Sequence, residues 1–213
     1  MTTMIQGSGI GPLMFLVYIN ELIYVLEEHG ITVKLFADDV KMYARIIHDV
    51  DMARLQCAIT SLVEWAGDWQ LGISVEKCCV LNIGQQAHIP RLYLGNSELP
   101  VVPQTRDLGI VLCDDLSPTL HINEIVSKAH KRAMLIARSF ISRDVSLLIR
   151  AYLTYVRPLL EHNSVIWSPY TIKDIVAIES VQRRFTKNLP GFRTYSYPER
   201  FIHSLLRITG CGS

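Results

Sequence analysis

The sequence has no long hydrophobic run. The apolar stretch from Pro12 to Val25 is broken by Asn20 and Glu21, which leaves it too short and too polar to cross a bilayer, so no membrane association is expected. Met1 is followed by polar residues with no basic segment ahead of the apolar stretch, so no secretory signal is expected either. The five cysteines show no C-x-x-C spacing, and no histidine pair sits at zinc-finger spacing, which excludes a disulfide scaffold and a zinc module. Cys78 and Cys79 lie in an apolar run and read as strand residues. An odd cysteine count without a disulfide framework favours a reducing, intracellular compartment; nucleus and cytoplasm are left open. Repeats and low-complexity tracts are absent. The glycine-rich segment near the start lacks the Lys-Ser/Thr ending of a phosphate loop, which excludes that route to nucleotide hydrolysis.

What is present describes a foldable chain. Of 213 residues, 49% are apolar and 19% charged, enough for one large domain or two small ones. The net charge of +1 hides an asymmetry: residues 1–112 carry 7 basic and 12 acidic side chains, residues 113–213 carry 14 and 8. An acidic half followed by a basic half suits a metal site beside a polyanion-binding module.

The densest chemistry is Phe36-Ala37-Asp38-Asp39. Ile31, Val33, Leu35 and Ala37 alternate with Thr32, Lys34, Phe36 and Asp38, the period of a strand. Val40 and Met42 alternate with Lys41 and Tyr43, so a second strand follows and the aspartates fall at a hairpin tip. Adjacent carboxylates repel unless a cation neutralises them. Hard divalent ions prefer carboxylate oxygens and share them with phosphates, so the pair is a sensible platform for nucleotidyl transfer. A polar turn accounts for the same four residues.

Around this hairpin the chain reads as follows. Gln6-Gly7-Ser8-Gly9-Ile10-Gly11-Pro12 is a flexible loop feeding a helix with Leu13, Phe15, Leu16, Ile19, Leu22, Ile23 and Leu26 on its apolar side. Asp49 or Asp51 caps a helix whose buried stripe is Leu55, Ile59, Leu62, Ala66 and Trp69. A strand covers Cys78 to Gly84, with Lys77 just before it: a solvated lysine, or a cation for a triphosphate. Arg91 to Leu94 and the turn at Gly95-Asn96-Ser97 form a hairpin, and Asp107 to Leu112 a further strand. Helices are expected at His121–Ile141, Ser146–Leu160 and Lys173–Leu189, separated by Pro158 and Pro169. The cluster Gln182-Arg183-Arg184-Phe185-Thr186-Lys187 suits phosphate contact and stacking, or a solvated helix face.

Together these stretches resemble the reverse transcriptase of non-LTR (LINE-type, jockey-like) retrotransposons over nearly the whole chain. Gln6-Gly7-Ser8, Gly11-Pro12 and Phe15 are similar to that family's motif B, and Phe36-Ala37-Asp38-Asp39 to its motif C. Trp69, Leu71 and Lys77 are similar to motif D. Leu108-Gly109-Ile110 with His121-Ile122 resembles the passage from sheet to thumb. Trp167-Ser168-Pro169, Ile178-Glu179 and Val181 to Phe185 resemble the thumb. Ile5 stands where the family has proline, and Ser74 where motif D has asparagine.

The resemblance implies an α+β fold: a partial right-hand polymerase palm (antiparallel sheet with helices on one face), then an all-helical thumb. The palm portion would cover residues 1–113, with motifs B to E, and the thumb with a C-terminal extension 114–213. It implies RNA-directed DNA synthesis with two Mg2+ ions, an RNA template, a DNA primer and dNTPs. Asp38 and Asp39 would be the catalytic metal ligands, and Lys77 would serve the triphosphate. Gln6, Gly7, Ser8 and Phe36 would contact template, nucleotide and primer end. Lys128, Lys131, Arg132, Arg183, Arg184 and Lys187 would hold the nucleic-acid backbone. The family's fingers and its other metal-binding aspartate lie upstream of motif B, so this chain is expected to be an inactive fragment. The alternative is a non-catalytic nucleic-acid-binding remnant. A sheet lacking a partner strand exposes an edge, through which self-association is expected.

Overall fold

The computed structural model describes residues 10–84, 91–141 and 144–200. The chain divides into two compact units, Met1–Val102 and Pro103–Ser213, each with its own core.

The first unit opens with α1 (Gly11–Glu27), which has Pro12 at its second position, where no backbone donor is needed. Its Ile19, Leu22 and Leu26, spaced three and four apart, face inward and are almost fully buried. A two-residue turn joins β1 (Thr32–Phe36) to β2 (Asp39–Tyr43) in an antiparallel ladder running from Thr32↔Tyr43 to Phe36↔Asp39. Val33, Leu35, Val40 and Met42 turn one face of this hairpin to the core. Helix α2 (Asp49–Asp68) completes that core with Ala58, Ile59, Leu62, Trp65 and Ala66. Asp51 acts from inside the first turn, its carboxylate accepting the N–H groups of Ile47 and His48 at 2.9 and 3.0 Å, and these donors hold its pKa low. Trp69 was expected in the buried stripe; it lies at the helix end, 41% exposed, and Trp65 is the buried indole. Trp69 is the C-cap that follows the last helical residue, Asp68.

The rest of this unit is short-stranded. A 3₁₀ turn spans Val75–Lys77, β3 is only Val80–Leu81, and Cys78 and Cys79 precede it outside any strand. The pair β4 (Tyr93–Leu94) and β5 (Ser97–Glu98) is a hairpin held to α2 by Gln56, whose amide donates to Tyr93 O and accepts from Tyr93 N–H, both at 2.8 Å. β6 (Val101–Val102) runs parallel to β3.

The second unit begins with β7 (Gln104–Asp107) and β8 (Ile110–Cys113). One strand was expected over Asp107 to Leu112; the chain instead reverses at Leu108-Gly109, with φ of +45° and +88°. Consecutive positive φ values are what a tight hairpin turn requires, and glycine supplies the second at little cost. Helices α3 (Thr119–Ser139), α4 (Val145–Tyr155), α5 (Arg157–Glu161), α6 (Ser164–Trp167) and α7 (Ile172–Lys187) follow. The helix expected over Ser146–Leu160 divides at Val156, because Pro158 has no N–H for a continuing ladder and sits at the second position of α5. Ile122, Ile125, Ala129, Ala133 and Ile136 make the buried stripe of α3. They pack with Leu148, Ile149, Tyr152, Val181 and Phe185, the last stacking on Tyr152 at 4.5 Å.

Two polar ties orient α3 and α7. Buried Asp174 accepts from the hydroxyls of Thr119 at 3.0 Å and Thr171 at 2.8 Å, and Thr171 in turn caps the helix through Asp174 N–H. Further along, His130 Nε2 meets Ser180 Oγ at 3.2 Å. The partners advance together, so the two helices run in the same direction. Helices and strands thus coexist as an α+β chain, and the sheets among the described residues are four two-stranded pairs, three antiparallel and one parallel.

Candidate active site and nucleic-acid surface

The aspartates occupy the tip of the β1–β2 hairpin. Asp38 is the second turn residue, and Asp39 opens β2 directly opposite Phe36. Ala37, the first turn residue, has φ of +53°, a conformation that burdens any residue carrying a Cβ. Strain of this kind persists where the surroundings over-determine it, and such positions cluster at functional sites. Both carboxylates are exposed, Phe36 is 59% exposed, and no hydrogen bond or ion pair within the described residues engages either carboxylate. Two adjacent carboxylates are oxygen donors of the type a hard divalent ion takes, with water and phosphate oxygens completing its shell. Among the described residues, no group of three or more potential metal ligands exists.

The other expected site residues fall in several places. Lys77 is exposed in the 3₁₀ turn, and no ion pair or hydrogen bond connects its side chain to Asp38 or Asp39. Gln6, Gly7 and Ser8 lie outside the described residues.

In the second unit, Lys128, Lys131 and Arg132 lie on α3 and Arg183, Arg184 and Lys187 on α7, all exposed. The first three fall in the middle of α3 and the last three near the end of α7. Three of them already have partners. Lys128 and Arg106 share Glu124, at 2.6 and 2.5 Å; hydrogen bonds from Lys128, then Arg106, pull its pKa down to about 2. Arg132 donates to Tyr155 O at the end of α4, at 3.4 Å. Arg183 pairs with Glu179 at 2.6 Å and lies 4.7 Å from the Tyr197 ring. Lys131, Arg184 and Lys187 have no ion-pair partner among the described residues. Beside Arg184, His130 titrates low, through burial first and then that guanidinium.

Sequence reasoning missed the strain at Ala37 and the structural duties of Arg106, Lys128 and Arg132. Only the first left a local signal, a non-glycine residue opening a two-residue hairpin turn.

A turn aspartate and a strand-end aspartate at one hairpin tip are thus the candidate site. A model of the family Reverse transcriptase (RNA-dependent DNA polymerase) matches residues 1–112, just over half of the chain, and the chain belongs to that family. Comparison with curated proteins and with solved structures finds no match. Among the described residues, no helix is long and apolar enough to cross a membrane.

Proposed function

We propose that the chain is the C-terminal palm and thumb of a non-LTR (LINE-type, jockey-like) reverse transcriptase. The observation that carries this reading is the Asp38–Asp39 tip on its strained two-residue turn, inside the segment matched by the family. Asp38 and Asp39 would hold divalent metal, with Mg2+ the hard ion such oxygens prefer. When bound, the metal supplies Lewis acidity at the attacking and leaving oxygens of phosphoryl transfer. Phe36, facing outward beside Asp39, would support the primer end. Gln6, Gly7 and Ser8 would meet template and incoming dNTP, and Lys77 would neutralise triphosphate charge. The cations of α3 and α7 would hold backbone phosphates without reading bases.

Two carboxylates suffice for one ion, whereas a second ion needs a further carboxylate that no described residue supplies. On this reading the isolated 213 residues bind primer–template without extending it. The same observation favours a second reading, a nucleic-acid-binding remnant without catalysis. The β1–β2 pair, two-stranded among the described residues, and the exposed Leu13, Leu16 and Val17 of α1 would support self-association.

Primer extension on an RNA template, with and without Mg2+, tests the reading. The isolated chain is expected to be inactive. Joined to a family segment carrying the third carboxylate, it is expected to extend the primer, with Asp38→Asn abolishing the activity. Extension that survives Asp38→Asn would overturn the assignment; failure of the joined protein despite duplex binding would favour the remnant.

A further inference from the structure

Arg200, in the second unit, is a buried cation without an acceptor. Only 8% of it is exposed, and its Nε is sealed from solvent with no hydrogen-bond partner. Among the described residues, no hydrogen bond or ion pair reaches any part of its guanidinium. Arginine is almost never buried unless paired, and an uncompensated buried charge is strongly destabilising. A group left in this state calls for a ligand or ion that reaches it.

Three parts of the unit meet around it. The chain after α7 turns at Ser196, whose N–H donates to Glu199 Oε2 at 2.7 Å and whose carbonyl accepts from Arg200 N–H at 3.0 Å. Tyr197 and Arg200, three residues apart, share one side of this helical turn. The Arg200 guanidinium lies 5.9 Å from the centre of the Tyr197 ring, and that of Arg183, from α7, 4.7 Å from the same centre. Tyr197 is also an electrostatic neighbour of Tyr152 on α4, whose pKa burial, then Tyr197, pushes up to about 12. Tyr152 therefore keeps its proton at neutral pH and remains a donor. Neither phenol has a hydrogen-bond partner among the described residues. The charges around this ring nearly cancel. Arg183 is matched by Glu179 at 2.6 Å and Arg157 by Glu161 at 2.5 Å, while Glu199 is engaged at Ser196. The charge of Arg200 is left unmatched, which suits a monoanion. A planar guanidinium takes a carboxylate through two parallel hydrogen bonds. A phosphate monoester carries nearly two negative charges, about twice what the site leaves unmatched. Because Nε is sealed, a ligand meets Arg200 through its terminal nitrogens.

We propose that Arg200, with Arg183, Tyr197 and Tyr152 around it, forms a binding site for a carboxylate, carried by a small organic acid or by the free C-terminus of a peptide. Arg200 supplies the charge, and the two phenols supply further donors for the carboxylate oxygens. The site lies outside the segment matched by the family and does not depend on the aspartate tip or on nucleic acid.

The test titrates the full chain, at constant ionic strength, with four probes: acetate, a short peptide with a free C-terminal carboxylate, the same peptide amidated, and inorganic phosphate. Binding is read by calorimetry and by the rise in melting temperature that a ligand specific to the folded state produces. Acetate or the free peptide should bind, and amidation should abolish the peptide's binding. Acetate binding as well as the peptide points to a small acid, and the peptide binding more tightly points to a chain terminus. Arg200→Gln should weaken carboxylate binding about tenfold or more, the worth of a charge-assisted contact, and Tyr197→Phe about two- to tenfold, that of a neutral hydroxyl. Arg193→Gln, an exposed cation nearby in sequence, serves as the charge control. Arg200→Gln should not melt below wild type, because it removes an uncompensated charge. If it fails to fold, Tyr197→Phe carries the test, and unchanged carboxylate affinity in that variant would overturn the proposal. Phosphate binding more tightly than acetate would overturn the ligand class. No binding of either carboxylate, or a loss in Arg200→Gln no larger than in Arg193→Gln, would overturn the site.

Discussion

Mild acid should weaken the second unit through His121. The side chain is 3% exposed, its Nδ1 accepts the Val111 N–H at 3.3 Å, and its ring lies 5.3 Å from that of Trp167. Burial lowers its pKa from 6.5; Glu124 opposes the shift, and Arg106, Lys128 and His162 reinforce it. The folded chain therefore binds this proton less readily than the unfolded chain. Above pH 6.5 both states are neutral and the stabilisation is complete. As pH falls below 6.5 the unfolded state takes up the proton first, and stability declines by at most about 1.4 kcal/mol per pH unit until the folded pKa is reached. Between pH 6.5 and 5.5 this amounts to at most about 1 kcal/mol for one histidine. Below the lowered folded pKa, protonated Nδ1 can no longer accept from Val111, so the hairpin then loses its tie to α3. Glu124, titrating near 2, contributes its pH dependence only in stronger acid, so the two effects separate. Urea unfolding at pH 7.5, 6.5 and 5.5 would measure this, with His121→Gln as the non-titrating comparison. Wild type should lose up to about 1 kcal/mol more than the variant between the two lower pH values. Parallel profiles would refute the argument.

Two further substitutions probe the backbone and the helix tie. Ala37→Gly removes a left-handed penalty of about 1–2 kcal/mol and adds unfolded-state entropy of about 0.5–1. The first unit should gain about 0.5–1 kcal/mol in urea, and a loss would contradict the strain at the tip. Asp174→Ala removes the two hydroxyl bonds to its carboxylate, from Thr119 and Thr171. It should cost about 3 kcal/mol, and a loss under 1 in the same assay would show that α3 and α7 do not depend on it.

The aspartate hairpin was legible because period-2 alternation persists on both sides of a two-residue turn, from Val33 to Met42. The stripe of α3 was legible for the same reason at helical period. Legibility failed where a single residue decides. Leu108-Gly109 reads as part of an apolar run, yet consecutive left-handed residues there make two strands out of one. Trp65 and Trp69 occupy the same helical face, and only the stopping point of α2 separates the buried from the exposed indole. The pairing of β3 with β6 joins segments about twenty residues apart and has no local signature. At the candidate site, sequence proposed the carboxylates and the cations. It did not show that Lys128, Arg132 and Arg183 have partners within the fold, since those depend on which helices become neighbours.

The shared direction of α3 and α7 bears on how much charge this surface has to offer. Each helix carries roughly half a negative charge at its C-terminus, and parallel packing brings both of these poles toward one end. Arg138 in the last turn of α3, and Arg184 and Lys187 in the last turn of α7, answer these poles before they answer any ligand. The formal count of cations therefore overstates the potential available to a polyanion. Replacing them should fray the helix ends as well as weaken binding, coupling the integrity of this unit to the electrostatics of its surface.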